Sequence, residues 1–304
     1  MRNHSVEVQV PAKINLQLAV GPLESDGYHQ LVTVFQSISL YDTVKISRDA
    51  SEFSMSITGD YAGSVPADEN NLIYKAIDLM AEKYKSDRNV HVEVKKNIPV
   101  AGGMAGGSAD AAATILAIDQ LFNLNLSKEE MSECAAKLGA DVPFMLNGGT
   151  AVGRGRGDEI TPALSRGSYH WVIAVSTTGL STPAVYGECD RLRTGLEIKQ
   201  PQLNDELLQA LLSADSERVG KALSNDLQAA ACSLRPALRL VLDIGNEYGA
   251  LGGIVSGSGP SVAFLVADED QSLDLAVALT SSGVVGSVIR AQGPVHGARV
   301  IAHD

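Results

Sequence analysis

Apolar and polar residues alternate with period two at Val6, Val8 and Val10, which puts three valines on one face of a strand. Residues 14–20 read as the continuation of that strand or as its partner. Residues 31–40 and 43–47 are strand-like as well, and residues 53–58 alternate again. The period then changes. Ile73, Ile77, Met80, Ala81 and Tyr84 recur at helical spacing behind Asn70 and Asn71, either of which can cap a helix. Val90, Val92 and Val94 alternate with His91, Glu93 and Lys95, a strand that feeds a glycine-rich stretch. An alanine-rich run through Ala111, Ile115 and Ile118 predicts a helix from about Ser108 to about Phe122.

Ser127 and Glu130 form a capping-box pattern before the apolar stripe Met131, Cys134, Ala135 and Leu138. Gly139 stands where a left-handed C-cap is expected. Pro143 then argues against helix and for an extended Val142, so Asp141 is expected on a short, stiff link to the next strand. The run Gly153-Arg154-Gly155-Arg156-Gly157 reads as a turn near a domain boundary. Further on, residues 171–176, 254–256, 261–266 and 298–302 read as strands. Residues 204–212, 216–223, 236–248 and 271–281 read as helices. The mixture, with antiparallel-looking turns, predicts an α+β fold. Two domains are expected, 1–163 and 164–304.

Composition narrows the function classes. The chain has 304 residues and a net charge of −12, which disfavours a nucleic-acid partner. No apolar run is long enough to span a bilayer, and residues 1–5 form no signal-peptide core. Cys134, Cys189 and Cys232 lie far apart without a CxxC pair, the pattern of reduced thiols in a cytoplasmic protein.

The stretch Pro99-Val100-Ala101-Gly102-Gly103-Met104-Ala105-Gly106-Gly107-Ser108-Ala109-Asp110 carries the strongest chemical signal. Glycines let a ligand approach the main chain, and a helix starting there aims free N–H groups and its positive dipole end into the loop. Strand, glycine loop and helix together make an anion cradle suited to phosphate. The loop is not a P-loop, because Ser108 stands where that motif needs lysine, and Met104 breaks any GxGxxG. Elsewhere, Lys13 and Asn15 share one face of a strand, since side chains at i and i+2 point the same way. Asp26-Gly27-Tyr28-His29 is a turn presenting an aromatic ring and an imidazole. Taken singly, Lys13, Asp141 and this turn have bland readings as solvated surface residues, and Gly257-Ser258-Gly259-Pro260 as a hairpin.

In combination these motifs resemble the GHMP kinase superfamily, from Pro11 to Ser261. The loop carries the superfamily likeness. Lys13-Ile14-Asn15, Gly27-Tyr28-His29 and Gly139-Ala140-Asp141-Val142-Pro143 narrow it to the branch acting on a small molecule that carries cytidine diphosphate. The resemblance implies an N-terminal nucleotide-binding domain and a C-terminal α+β domain closing a cleft. It implies ATP-dependent phosphorylation of the 2-hydroxyl of 4-diphosphocytidyl-2-C-methyl-D-erythritol, in the non-mevalonate route to isoprenoid and terpenoid precursors. ATP is the implied co-substrate, with Mg²⁺ carried on it. Another small-molecule kinase of the superfamily, such as a homoserine or mevalonate kinase, is the competing reading. A non-catalytic sensor is disfavoured because Lys13 and Asp141 are both present.

By the same resemblance, the loop from Pro99 to Ala109 takes the ATP phosphates, and Asn71 and Leu72 border the adenine. Asp141 matches the catalytic base and Lys13 its partner. Asn15, Tyr28, His29, Phe35 and Tyr186 match acceptor-side positions, with Tyr28 and Tyr186 expected to sandwich the cytosine. Asp110 replaces an asparagine of other relatives and is expected to face away from the phosphates. Arg154 and Arg156 have two readings, a pair that reaches a phosphate and a solvated turn, and the solvated turn is the one expected. The resemblance specifies no metal ligands, and it leaves monomer or homodimer open.

Overall fold

A computed structural model describes residues 4–48, 51–66 and 68–303. The first alternating segment opens a long strand, β1 (Ser5–Leu23), which returns as β2 (His29–Ser47). Residues 14–20 are thus the continuation of the first strand. Then follow β3 (Ser54–Thr58), α1 (Leu72–Tyr84), β4 (His91–Lys95), α2 (Gly106–Phe122), α3 (Lys128–Leu138), α4 (Val142–Asn147), β5 (Thr150–Arg154) and β6 (Glu159–Pro162). The second half runs β7 (Tyr169–Val175), α5 (Thr182–Leu192), α6 (Asp205–Ser213), α7 (Ser216–Ala222), β8 (Ser224–Asn225), α8 (Gln228–Leu234), α9 (Ala237–Glu247), β9 (Gly252–Val255), β10 (Val262–Val266), α10 (Glu269–Ser282), β11 (Ser287–Gly293) and β12 (Arg299–His303).

The α+β expectation holds. One eight-stranded sheet runs β12-β1-β2-β4-β3, with β5 beside β2, β6 beside β5 and β8 beside β1. A separate four-stranded sheet runs β11-β7-β10-β9 and is antiparallel throughout. The β1–β2 pairing slips beside Pro11: Pro11 faces Tyr41, and Ala12 faces Ile38. Such a bulge bends the strand and re-aims the side chains beyond it, here Lys13 and Asn15. β1 is buried on both faces from Val10 to Leu18.

Local sequence explains most helix boundaries. The Asn71 side chain accepts the Ile73 amide and starts α1, and the Ser127–Glu130 capping box starts α3. α2 is buried around most of its circumference, and Ala109, Ala111, Ala112, Ala113 and Ala117 are fully covered. Small side chains let this helix lie close to the sheet on one side and to α1, α3 and α4 on the other.

Three expectations around the loop and Asp141 need correction. α2 begins at Gly106, earlier than Ser108. Gly139 has φ 167°, an extended backbone and not a left-handed cap. Val142 is not extended either: it opens α4, with Pro143 in the first turn. There the missing N–H costs nothing and the fixed φ suits a helix, so proline begins this element. Gly153 and Arg154 belong to β5, and the turn itself is residues 155–158.

Candidate active site

The glycine loop rests on a buried ion cluster. Lys96 Nζ donates to Asp42 Oδ2 at 2.5 Å and to Asp110 Oδ2 at 2.6 Å. Asp42 Oδ1 accepts the amides of Asn97 at 2.6 Å and Ile98 at 2.8 Å. These bonds clamp β2, the end of β4 and the second turn of α2 together. Asp110 Oδ1 has no hydrogen-bond partner. Burial pushes the Asp110 carboxyl up to about 8, against the pull of Lys96 and assisted by the Asp42 charge. Burial also penalises the Lys96 ammonium, but Asp110 and Asp42 outweigh it and hold its pKa above the ordinary lysine value. Asp110 faces away from the cleft, as expected.

Above this base the loop turns through left-handed backbone at Ala101, Gly103 and Ala105. At Gly103 no side chain fits: a Cβ would stand 2.0 Å from the Ser256 carbonyl oxygen. The Gly103 carbonyl accepts the Ser256 hydroxyl at 3.0 Å, which pins the loop to the β9–β10 turn. Ala105 occupies the N-cap of α2 and supplies no side-chain bond. The first amides of α2, at Gly106, Gly107 and Ser108, therefore lack a side-chain cap and suit an anion. Gly107 is exposed, and an added Cβ there would touch only Leu72, at 3.8 Å. Gly106 instead packs inward on Lys96 and Ile98.

A cavity of about 640 Å³ opens over these amides. Lys13, Asn15, Phe35, Leu72, Asp141 and Tyr186 line it, together with loop residues 101–103 and 105–108. Lys13 is 4% exposed. Its Nζ donates to Asn15 Oδ1 at 2.7 Å and lies 3.8 Å from Asp141 Oδ2. Asn15 Nδ2 donates to Thr33 Oγ1 at 2.8 Å, and Thr33 donates to the Gln17 carbonyl at 2.6 Å. This chain fixes the amide so that its oxygen faces the ammonium. The Phe35 ring centre lies 5.3 Å from Nζ. Burial lowers the Lys13 pKa, and Asp141 offsets part of that. Asp141 sits at the N-cap of α4, yet its side chain makes no capping bond there, so its carboxylate faces the cavity, one-third exposed.

A second cavity of about 920 Å³ adjoins the first along Leu31, Ala140, Arg156, Thr182, Pro183 and Tyr186. It holds Tyr28 and His29. The rings of His29 and Tyr186 lie 5.4 Å apart. His29 Nδ1 is 2.9 Å from the Gly21 carbonyl, and Nε2 is 3.4 Å from Asp190 Oδ2. Burial drives the Tyr186 hydroxyl up to about 12, with Asp141 and Cys189 adding to the effect. Tyr28 lines the same cavity as Tyr186. It is 55% exposed, and the Arg156 guanidinium stacks on it at 3.8 Å. Arg156 lies in a turn and is exposed, as expected, and its side chain is held there by Tyr28 and Asp26.

Some expected residues lie behind the cavity wall. Met104 and Ala109 are fully buried, and Met104 contributes its carbonyl, which accepts the Lys13 amide at 3.3 Å. Pro99 and Val100 do not line the cavity. Asn71 is committed to capping and to the Pro66 carbonyl, at 2.8 Å, while its neighbour Leu72 reaches the wall. Sequence reasoning missed Thr33, Leu180 and Thr182. Thr182 bonds Ser258 at 2.9 Å, joining α5 to the β9–β10 turn. The Thr182-Pro183 helix start was the available signal.

Two family models match the chain: the GHMP kinases N terminal domain at residues 71–149 and the GHMP kinases C terminal at residues 207–285. A relative from Rhodococcus jostii (strain RHA1), named 4-diphosphocytidyl-2-C-methyl-D-erythritol kinase, is 49% identical over 97% of this chain and 95% of its own length. A relative of the same name from Mycobacterium tuberculosis (strain ATCC 25618 / H37Rv) is 48% identical, covering 98% of this chain and 93% of its own. The chain belongs to the 4-diphosphocytidyl-2-C-methyl-D-erythritol kinase family of GHMP kinases. A crystal structure of 4-(cytidine 5'-diphospho)-2C-methyl-D-erythritol kinase superposes with a TM-score of 0.77 at 29% identity, over 94% of this chain and 98% of that one. A homoserine kinase from Cytophaga hutchinsonii ATCC 33406 shares the fold, with a TM-score of 0.72 at 19% identity over 99% and 98% of the two chains. In this GHMP kinase the N-terminal model covers the glycine loop and Asp141. Lys13, Tyr28, His29 and Tyr186 lie outside both matched segments.

Proposed function

We propose that this kinase transfers the γ-phosphoryl group of ATP to the 2-hydroxyl of 4-diphosphocytidyl-2-C-methyl-D-erythritol, a cytoplasmic step toward isoprenoid precursors. One observation carries the reading: Lys13 and Asp141 meet where an anion-cradling loop adjoins an aromatic-walled chamber. Three buried free cysteines suit a reducing compartment. Among the described residues no helix is long and apolar enough to cross a membrane. The division between nucleotide and acceptor domains is proposed at 163/164, just after β6, so that one family-model match falls on each side.

The chemistry follows from the groups present. An alcohol is a weak nucleophile at neutral pH. Asp141 accepts its proton as the phosphoryl group transfers. Lys13 offsets charge on the transferring group. Asn15 holds the ammonium in place, and Phe35 packs beside it. The amides at the start of α2 hold the phosphates, Leu72 and Asn71 border the adenine, and Tyr28, His29 and Tyr186 surround the cytosine. Much of the acceleration comes from aligning hydroxyl and γ-phosphate.

Among the described residues no group of three or more His, Cys, Asp or Glu side chains could hold a metal by itself. That donor set fits a Mg²⁺ ion that arrives on the nucleotide and keeps phosphate and water ligands. Asp141 and Ser108 are among the cavity residues that would offer it oxygen. Bound there, the ion neutralises phosphate charge.

The test is ATP consumption with the diphosphocytidyl acceptor, set against homoserine, mevalonate and galactose. Turnover at least a hundredfold faster with the diphosphocytidyl acceptor is the expected result. Faster turnover with any of the other three overturns the acceptor assignment.

A further inference from the structure

Arg156 stands on the wall that the two cavities share, and among the described residues it is the one cation lining both. Its position is built from three directions. Its own amide donates to Asp158 Oδ1 at 3.2 Å in the β5–β6 turn. Its guanidinium face lies 3.8 Å from the Tyr28 ring centre. Its Nη2 donates to Asp26 Oδ2 at 3.0 Å, across a sequence separation of 130 residues. The Asp26–Tyr28 turn is itself fixed, because the Tyr28 amide donates to Asp26 Oδ1 at 3.0 Å. The base of the turn is also tied down, since the Leu31 amide donates to the Gly155 carbonyl at 2.8 Å.

The acceptor proposed above has a base at one end, a hydroxylated chain at the other and a diphosphate between them. With the base beside His29 and Tyr186 and the hydroxyl at Asp141, the diphosphate must cross the shared wall. A guanidinium fork suits that group, since it presents paired N–H donors at fixed spacing. Asp26 occupies one Nη2 direction and Tyr28 one face, which leaves the remaining edge for an anion. The −12 net charge of the chain makes such a local cation necessary for drawing in an anionic acceptor.

We propose that Arg156, oriented by Asp26 and Tyr28, binds the diphosphate of the acceptor and selects for acceptors that carry one. This rests on the acceptor reading given above. In this arrangement Tyr28 supports the guanidinium with one face of its ring.

Calorimetric titrations of cytidine, cytidine monophosphate and cytidine diphosphate test it, with the ATP site filled by a non-hydrolysable ATP analogue. Wild-type protein should bind the diphosphate more tightly than cytidine. Arg156→Ala should weaken diphosphate binding by about ten- to a hundredfold, the range for one hydrogen-bonded charged contact. Its affinity for cytidine should stay within about threefold of wild type. Arg156→Lys should recover part of the loss, and Asp26→Asn should weaken the diphosphate by a smaller factor. An Arg156→Ala variant that loses cytidine and diphosphate equally overturns the proposal, since Arg156 would then act only through the base chamber. Unchanged diphosphate affinity in that variant overturns it while leaving the acceptor reading standing. Wild-type protein that binds neither ligand overturns the acceptor reading and this proposal together.

Discussion

Lys13 and Lys96 are 4% and 1% exposed, and each extends from a strand of the same sheet or from its immediate end. Their surroundings differ. Lys96 has two carboxylates, at 2.5 and 2.6 Å, and its pKa is held above the ordinary value. Lys13 has one carboxylate at 3.8 Å, an amide oxygen and an aromatic ring, and burial wins, lowering its pKa. The partners of Lys96 are themselves withdrawn from water, whereas Asp141 is one-third exposed. A saturated ammonium clamps three elements and has little left to offer a ligand. An under-compensated one at a cavity wall attracts added negative charge, such as a phosphoryl group in transfer. Burial alone does not separate a structural lysine from a functional one. The number and closeness of its carboxylates do.

The sharpest way to break the contrast lies at Asp141. Asparagine keeps its shape and cannot take a proton. Asp141→Asn should lower kcat by about two to four orders of magnitude while both KM values stay within a few-fold. Steady-state kinetics with each substrate varied will show this. A kcat within about threefold of wild type removes Asp141 as the base and leaves Lys13 without its functional partner.

Next in size is the exchange of each lysine for methionine. Lys96→Met leaves the buried Asp42 carboxylate and the Asp110 carboxyl without their cation, and breaking a buried pair in this way costs about 3–5 kcal/mol. Urea unfolding should therefore show a large drop in midpoint. Lys13→Met leaves Asp141, which keeps solvent, and the buried Asn15 amide oxygen, so stability should fall by less, about 1–3 kcal/mol. Its kcat should fall by roughly a hundred- to a thousandfold, the range for losing one transition-state donor. Equal destabilisation by the two variants would erase the distinction. A change confined to the KM for ATP would make Lys13 a ground-state phosphate contact.

The sequence was unequally informative about these two sites. Asn71, Ser127 and Glu130 act within a few residues of themselves, so their caps were legible. The glycine loop was legible for the same reason, since its backbone must turn where no side chain fits. Lys13 and Asn15 share a face through period two, but the slip at Pro11 that aims them is a cross-strand property. Lys96 resembled one more polar residue after Lys95. Its partners lie 54 and 14 residues away, which no local pattern reveals. Pro143 misled because a proline that ends one helix also suits the first turn of the next. The contacts of Arg156 with Tyr28 and Asp26 were not legible, because those two residues come to it from a distant hairpin. β1 lost its alternation beyond Val10 because both faces are covered, so its identity as one long strand stayed hidden.

The smallest expected effect concerns the third member of the buried cluster. Asp110 Oδ1 has no partner, and burial, against the pull of Lys96, pushes its carboxyl up to about 8. An unfolded aspartate titrates near about 4. Between these values the folded protein holds a proton that the unfolded chain has released. The stability tied to that proton is full below about pH 4 and is lost as pH rises through about 8. Asp110→Asn places a neutral amide there at every pH, with its oxygen still able to accept from Lys96. Wild type and variant should therefore melt alike near pH 5. At pH 9 the variant should melt a few degrees higher, a shift of roughly 2–4 °C per kcal/mol being usual for chains somewhat shorter than this one. Thermal melts at the two pH values decide the matter. A variant that melts lower than wild type at pH 9 would mean that the folded protein holds Asp110 as a paired carboxylate. Lys96 would then balance two full negative charges, and the contrast with Lys13 would be larger than the geometry of Oδ1 implies.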